Sequence, residues 1–234
     1  MKKLGRAEKI AKTIKNKNLT EMSESKAELL GYPAAEGNEC HRRSRYKRFY
    51  PNRGKTGKFY TINWRQDAIE FTNLNPVIQE RFRELLLVVY GWTPPRFDAK
   101  WRIRIIKKAI VLDVLSLSAL CSRSWRIPEI ILNGNEQLKS AWIRGYADGD
   151  GTVGRTVKLD SVNFSGIQKV HEMLKSLGIE SSFLGPYSHG RCRISIGKNS
   201  LKTYLEKIGF NHPQKLSRLV NLVQHHSNGA PGGI

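Results

Sequence analysis

Two short segments of the sequence resemble each other, and each ends in an acidic residue followed by glycine. One spans residues 27–37 and the other residues 141–151, and in both a Gly-Tyr pair begins five residues before the acid. Small residues separate the pair from the acid, and a helix with small residues can pack closely against its own copy. We therefore expect Glu36 and Asp150 to meet at one end of a helix pair, where two carboxylates can hold a divalent cation.

Stability alone does not explain such a pair of acids. A carboxylate in the last turn of a helix opposes the helix dipole, and a second carboxylate nearby raises the pKa of one of them. A bound cation resolves both effects, and Mg²⁺ or Mn²⁺ would keep open positions for water and phosphate oxygens. A metal beside a phosphodiester activates water and stabilises the leaving oxygen. The alternative is two exposed acids beside turn glycines, and the matching upstream residues favour the metal site.

The composition indicates a polyanionic partner. The 234 residues include 40 Lys and Arg against 20 Asp and Glu, a formal net charge of +20. Nucleic acid is the commonest partner of such a charge, with a ribosomal-type or merely soluble basic protein as the alternative. Three scattered cysteines argue against a zinc ribbon or a disulfide framework, so we expect a reducing compartment. Because the chain has no secretory signal and no long apolar run, we expect an intracellular location and no membrane partner.

The hydrophobic periodicity predicts an internal duplication, in which each half runs helix, two strands, helix, two strands, helix. Ser23 or Ser25 is expected to cap the first motif helix, and Asn199 the last helix. Strands of period two are predicted around residues 101–105 and 192–196, with apolar faces inward and cationic faces outward. The predicted regions are a basic arm (1–22), a first repeat (23–122), a connector (123–138), a second repeat (139–222) and a flexible tail (223–234).

At these residues the sequence resembles the LAGLIDADG homing endonuclease family in its two-motif, monomeric form. Residues 142–151 (WIRGYADGDG) match the family motif closely and residues 29–37 (LLGYPAAEG) more loosely, with further likeness at 126–129 and 174–179. The resemblance implies a mixed α/β (α+β) fold of two αββαββα repeats, related by a pseudo-twofold axis. They form a saddle of antiparallel sheets over double-stranded DNA. It also implies cleavage of both strands across the minor groove, with metal held by Glu36, Asp150 and the carbonyls of Ala35 and Gly149.

The family also places a lysine after the fourth strand of each repeat. Alignment of the two repeats puts Lys107 and Lys198 at equivalent positions, where a lysine could stabilise the phosphorane charge or polarise the attacking water. Polar side chains that support the acids are expected near Asn73 and Ser161. Pro33 departs from the motif pattern, because proline inside a helix removes a backbone hydrogen bond and could displace Glu36.

The basic residues of the predicted strands and hairpins are candidates for DNA contact. Arginine forks can read guanine in the major groove, and many basic side chains will contact only phosphate. Unequal halves imply an asymmetric target. The predicted DNA-binding residues are Arg42, Arg43, Arg45, Lys47, Arg48, Lys58, Arg65, Arg102, Arg104, Arg155, Lys158, Arg191 and Arg193.

Two functions are compatible with this sequence. The first is a site-specific, metal-dependent DNA endonuclease, and the second is an intron maturase or another non-cleaving binding protein on the same scaffold. The retained acid pair favours cleavage, whereas Pro33 and a charge equally suited to RNA favour the alternative. The chain begins with Met and does not end in His-Asn, which favours a free-standing, intron-encoded protein over an intein fragment.

Overall fold

Each half of the chain begins with one of the two motif helices, followed directly by a β-hairpin. The computed structural model describes residues 21–52, 57–95 and 101–228. Residues 1–20 of the predicted basic arm and the last six residues of the predicted tail lie outside this description. Among the described residues, no helix has the length and apolar character needed to cross a bilayer.

The first half contains three helices and one antiparallel sheet of order β1-β2-β3 among its described residues. Ser23 caps the first helix, since its side chain accepts a hydrogen bond from the Lys26 N–H. Asn75 caps the second helix, which starts at Pro76 and ends before Gly91. The elements are α1 (Glu24–Glu36), β1 (Gly37–Tyr50), β2 (Lys58–Thr72), α2 (Pro76–Tyr90), β3 (Arg102–Ile105) and α3 (Lys108–Leu117).

The second half repeats this order around a four-stranded antiparallel sheet, β4-β5-β7-β6. Asn135 caps its motif helix by accepting a hydrogen bond from the Leu138 N–H. The elements are α4 (Glu129–Leu132) in the connector, α5 (Glu136–Asp150), β4 (Gly151–Val153), β5 (Val157–Ser161), α6 (Phe164–Ser176), β6 (Ser181–Leu184), β7 (Cys192–Ile196), α7 (Leu201–Lys207) and α8 (Pro213–Asn228).

Three details differ from the sequence-based expectation. The described part of the first sheet has three strands, whereas the pattern predicts four. Asn199 does not cap α7, because residues 198–200 form a 3₁₀ turn and Ser200 precedes the helix. Helix α8 was not predicted, and it continues to Asn228 beyond the expected start of the tail at 223.

The two motif helices pack at backbone contact distance. A Cβ atom built on Gly31 would lie 2.8 Å from the Tyr146 nitrogen, and one on Gly145 would overlap the carbonyl of Glu28. Only glycine therefore permits this approach. Tyr32, Trp142 and Tyr146 are fully buried around the crossing, so the shared core lies between the halves.

Pro33 does not break α1, which continues to Glu36. The Gly37 N–H donates to the carbonyl of Pro33, so the last turn closes normally behind the proline. The helix therefore accommodates Pro33 and still ends at Glu36.

Strand register relates the two halves position by position. In the first sheet Gly37 pairs with Phe71, which also pairs with Ile103. In the second, Gly151 pairs with Leu159, which also pairs with Ile194. The register therefore makes Ile103 equivalent to Ile194 and reproduces the alignment that equates Lys107 with Lys198. The apolar residues of these strands face the helices, which leaves the alternate, polar residues on the opposite face of each sheet.

Candidate metal and DNA-binding site

Glu36 ends helix α1 at the junction with the first sheet. Asn73, directly after β2, donates from its side-chain amide to the Glu36 carboxylate at 2.5 Å. Burial raises the pKa of Glu36 above its ordinary value of 4.5, while the Asn73 hydrogen bond and the charge of Lys215 oppose this rise. The expectation of a supporting polar residue near Asn73 thus has a direct counterpart in the fold.

Asp150 occupies the corresponding end of α5 beside Glu36. A Cβ built on the preceding residue, Gly149, would lie 3.1 Å from Cγ and 3.4 Å from Cδ of Glu36, so the two helix ends are in contact. Burial raises the pKa of Asp150 to about 7, with repulsion from Glu36 as the next largest cause. The acids of the two motifs are therefore brought together, half-buried and mutually repelling.

Asp148 is also in the motif, but it has a structural role. Its carboxylate accepts hydrogen bonds from the Tyr32 hydroxyl, the side chain and backbone N–H of Asn211, and the backbone N–H of His212, all at 2.9 Å. Burial raises the pKa of Asp148, and these donors oppose the rise. Because its oxygens are occupied by these donors, Asp148 anchors the segment before α8 to the motif helices.

Lys215, on α8, is a cation at this site that the sequence reasoning missed. Its ammonium donates to the carbonyls of Ala147, Asp148 and Gly149, at 3.1, 2.6 and 2.9 Å. These carbonyls belong to the last turn of α5, where a cation is favoured by the helix dipole. Burial lowers the pKa of Lys215, and the charges of Asp148, Glu36 and Asp150 raise it. The spacing of Leu216, Leu219 and Val223 could have indicated the helix that carries it.

The two lysines predicted from the repeat alignment occupy different surroundings. Lys107 lies over the Trp92 ring, with its ammonium 5.3 Å from the centroid. Lys198 is exposed in a polar cavity of about 370 Å³ that is also lined by Ser181, Ser182 and Ser195. By contrast, the charge of Lys215 lowers the pKa values of both Glu36 and Asp150. A catalytic role for Lys107 and Lys198 stays a prediction.

A cavity of about 310 Å³ opens beside Asp150. Asp160, Ser161 and Arg191 line it together with Ala35 at the end of α1. Asp160 is a third acid that contributes to the raised pKa of Asp150, and Arg193 holds its carboxylate by two hydrogen bonds of 2.7 and 2.9 Å. Ser161 accepts from the Asn163 N–H, so its hydroxyl supports the strand end.

The predicted DNA-binding residues differ in their contacts and in their exposure. On the polar faces of the sheets, several are held by acids: Arg42, Arg102 and Arg104 surround Glu70, and Arg193 binds Asp160. Along β1 the side chains alternate, so Arg43, Arg45 and Lys47 lie on the opposite face from Arg42 and Arg48. Lys158 is half-buried, and the side chain of Arg65 lies outside the described part of the structure. The exposed residues of the predicted set are Arg42, Arg43, Arg45, Lys47, Arg48, Lys58, Arg155 and Arg191.

Comparison with known proteins matches part of the chain to a family model and finds the same fold among solved structures. Residues 137–209, which include all but the first residue of α5 and the whole second sheet, match the model of the LAGLIDADG-like domain. The crystal structure of I-DmoI in complex with DNA and Mn superposes with a TM-score of 0.57 at 17% identity, covering 79% of this chain and 96% of that one. The chain has the LAGLIDADG homing endonuclease fold.

Two further matches cover different shares of the chain. The homing endonuclease I-WcaI bound to its DNA recognition sequence superposes with a TM-score of 0.53 at 15% identity, covering 92% of this chain and 94% of that one. The replication factor C small subunit of Thermococcus kodakarensis is 28% identical over 173 residues, 67% of this chain. This chain spans only 19% of the length of that curated relative. The resemblance of the sequence to the LAGLIDADG family is confirmed: the family model covers the second repeat, and the solved structures share the fold.

Proposed function

We propose that this protein is a site-specific double-stranded DNA endonuclease that hydrolyses phosphodiester bonds with a divalent cation. The observation that carries the proposal is the contact between the ends of the two motif helices, which brings Glu36 beside Asp150 in a half-buried site. Repulsion between the two carboxylates contributes to the raised pKa of Asp150. Structures of I-DmoI were determined with DNA in the presence of Mn, Mg or Ca, which supports a divalent cation as the cofactor here.

The donor set fits a hard cation that retains water and phosphate ligands. Two carboxylates lie together, and the carbonyl of Ala35 is adjacent to one of them in the chain. The Gly149 carbonyl, which the sequence also suggested as a ligand, accepts a hydrogen bond from the Lys215 ammonium at 2.9 Å. The described residues contain no group of three or more His, Cys, Asp or Glu that could enclose a metal. Mg²⁺ is commonly bound through one or two carboxylates plus substrate phosphates, so a pair is enough. When bound, such a cation would lower the pKa of a water and stabilise the charge on the leaving oxygen.

The residues of the chain itself prepare this site. Asn73 holds one Glu36 oxygen and so fixes the direction of the carboxylate. Lys215 places a positive charge on the carbonyls at the end of α5, close enough to lower the pKa values of Glu36 and Asp150. We propose that this lysine also stabilises the additional negative charge that develops on the phosphate during hydrolysis.

The sheets supply the surface for duplex DNA. Both polar faces carry arginine, and the formal net charge of +20 gives a long-range attraction for phosphate. The first hairpin has strands of 14 and 15 residues, while its counterpart has strands of three and five. Such unequal halves would contact different lengths of DNA, so we propose a long, asymmetric target read by a monomer. An intron-encoded origin stays a prediction.

A cleavage assay on a plasmid library with randomised inserts tests the proposal. With Mg²⁺ the wild-type protein is expected to linearise a subset of plasmids that share one sequence, whereas Asp150→Asn and Glu36→Gln should not. Glu172→Gln, which removes an exposed acid outside the site, is the matched control and should cut normally. Tight duplex binding without strand scission would refute the endonuclease and favour the non-cleaving alternative, and splicing stimulated by the protein would point to intron RNA.

A further inference from the structure

Glu70 is an acid on the polar face of the first sheet, where the proposed function places DNA. Its carboxylate is largely buried and is surrounded by three arginines, which together we name the Glu70 cluster. Arg102 Nη1 lies 3.0 Å from Oε2, Arg104 Nε lies 3.3 Å from Oε1, and Arg42 Nη2 lies 3.6 Å from Oε1. The exposed fractions of these side chains are 31%, 19% and 51%, against 11% for Glu70.

The strand register fixes the place of the cluster relative to the acid pair. Ile69 and Phe71 face the helices and are fully buried, so Glu70 between them faces the other way. Glu70 precedes Asn73, the partner of Glu36, by three residues on the same chain. At about 3.3 Å per residue, the distance along the chain from Glu70 to Asn73 is about 10 Å, which is the length of about three base pairs of DNA.

An acid at this position works against simple attraction for DNA. In the second sheet the equivalent position is Lys158, because Phe71 and Leu159 correspond in register. A carboxylate repels phosphate, so Glu70 lowers the local charge available for contacts that do not depend on sequence. It also holds long, flexible arginine side chains in one arrangement, which reduces the entropy lost when they bind.

We propose that Glu70 is a positioning residue that directs the arginines of its cluster toward guanine edges in the major groove. This inference rests on the proposed function as a DNA-binding protein. Arg42, which has the most exposed side chain of the three, is the arginine that reaches the base. Arg102 and Arg104, which are less exposed, hold the Glu70 carboxylate in place. The cluster makes the first sheet selective for a guanine about three base pairs from the centre of the site, at the expense of affinity for other DNA.

Selection of bound duplexes from a randomised library tests the proposal, with wild type, Glu70→Gln, Glu70→Asp and Glu39→Gln compared. Glu39 lies on the same hairpin but on the opposite face, where it contacts His41 at 3.0 Å. Its variant removes the same charge and therefore controls for net charge. Glu70→Asp keeps the charge but shortens the side chain, so it tests geometry if the Gln variant does not fold.

Both Glu70 variants are expected to lower the preference for one guanine about tenfold, while preferences elsewhere in the selected sequence persist. For Glu70→Gln, binding to a mixed-sequence duplex should also strengthen, with the slope of log K against log salt steeper by about 0.9. Glu39→Gln should leave the selected sequence unchanged. A preserved guanine preference in both Glu70 variants, or an equal loss at all positions, would overturn the role of Glu70 alone. No enriched sequence with wild type would overturn the proposed function and this inference together.

Discussion

Replacing Asp150 with asparagine is expected to stabilise the protein while abolishing cleavage. Burial and repulsion from Glu36 raise the pKa of Asp150 to about 7, above the ordinary 3.8. The ionised carboxylate is therefore less stable in the folded protein than in the unfolded chain. Asparagine has a similar size and cannot ionise, so the variant removes this unfavourable charge together with a proposed metal ligand.

The pKa difference sets the size and sign of the effect. At 1.36 kcal/mol per pH unit, the rise from 3.8 to about 7 corresponds to about 4 kcal/mol. Well below the ordinary pKa of 3.8, Asp150 is protonated in both states and the charge has no effect on stability. As the pH rises from about 4 to about 7, the unfolded chain releases its proton first and wild type loses stability. The advantage of Asp150→Asn should therefore grow across this interval and level off above pH 7.

Urea titrations at several pH values between 4 and 8.5 measure this difference directly. We expect the free energy of unfolding of Asp150→Asn to exceed that of wild type by about 2–4 kcal/mol at pH 8 and by less than 1 kcal/mol at pH 4. Magnesium should raise the stability of wild type at pH 8 and have little effect on the variant. Glu172→Gln, an exposed acid, is the control and should change neither quantity.

Two results would refute this reasoning. If Asp150→Asn were no more stable than wild type at pH 8, Asp150 would not carry an unfavourable charge in the fold. If the difference were the same at pH 4 and pH 8, the gain would come from packing and not from ionisation. Either result would remove the electrostatic argument for a cation at the helix ends.

Three further predictions follow from contacts around the same helices. Gly145→Ala should lower the free energy of unfolding by about 3 kcal/mol or more, since its Cβ would overlap a backbone carbonyl; Gly154→Ala, in open space, should change it by less than 1 kcal/mol in the same urea titration. Lys215→Met should slow the proposed cleavage about 10²-fold in a single-turnover assay, and an unchanged rate would contradict the role assigned to this lysine. Glu28→Gln should cost about 3 kcal/mol, because this buried acid binds two arginines, and a thermal melt unchanged from wild type would exclude that role.

Much of the fold was predictable because it depends on local patterns. The duplicated segments identify α1 and α5, and the alternating residues of β3 and β7 establish which side chains face the core. The equivalence of Lys107 with Lys198 followed from the same alternation, and the strand register reproduces it. Such features repeat every two or 3.6 residues, so they are visible in the sequence without knowledge of distant contacts.

The surroundings of the acids were less predictable. Asn73 was expected only approximately, and Lys215 was missed, because each reaches the site from an element far away in the chain. A lysine on α8 has no local signature that distinguishes it from other lysines in a chain with 40 Lys and Arg. Its role depends on where the helix packs.

The sequence by itself determined the two acids, the glycines that let their helices meet, and the positive charge that favours nucleic acid. The tertiary structure decided which cation lies beside the acids and which arginines are held by Glu70. The physical reason is that charge interactions depend on distance and burial, and neither quantity is expressed in the spacing of residues along the chain.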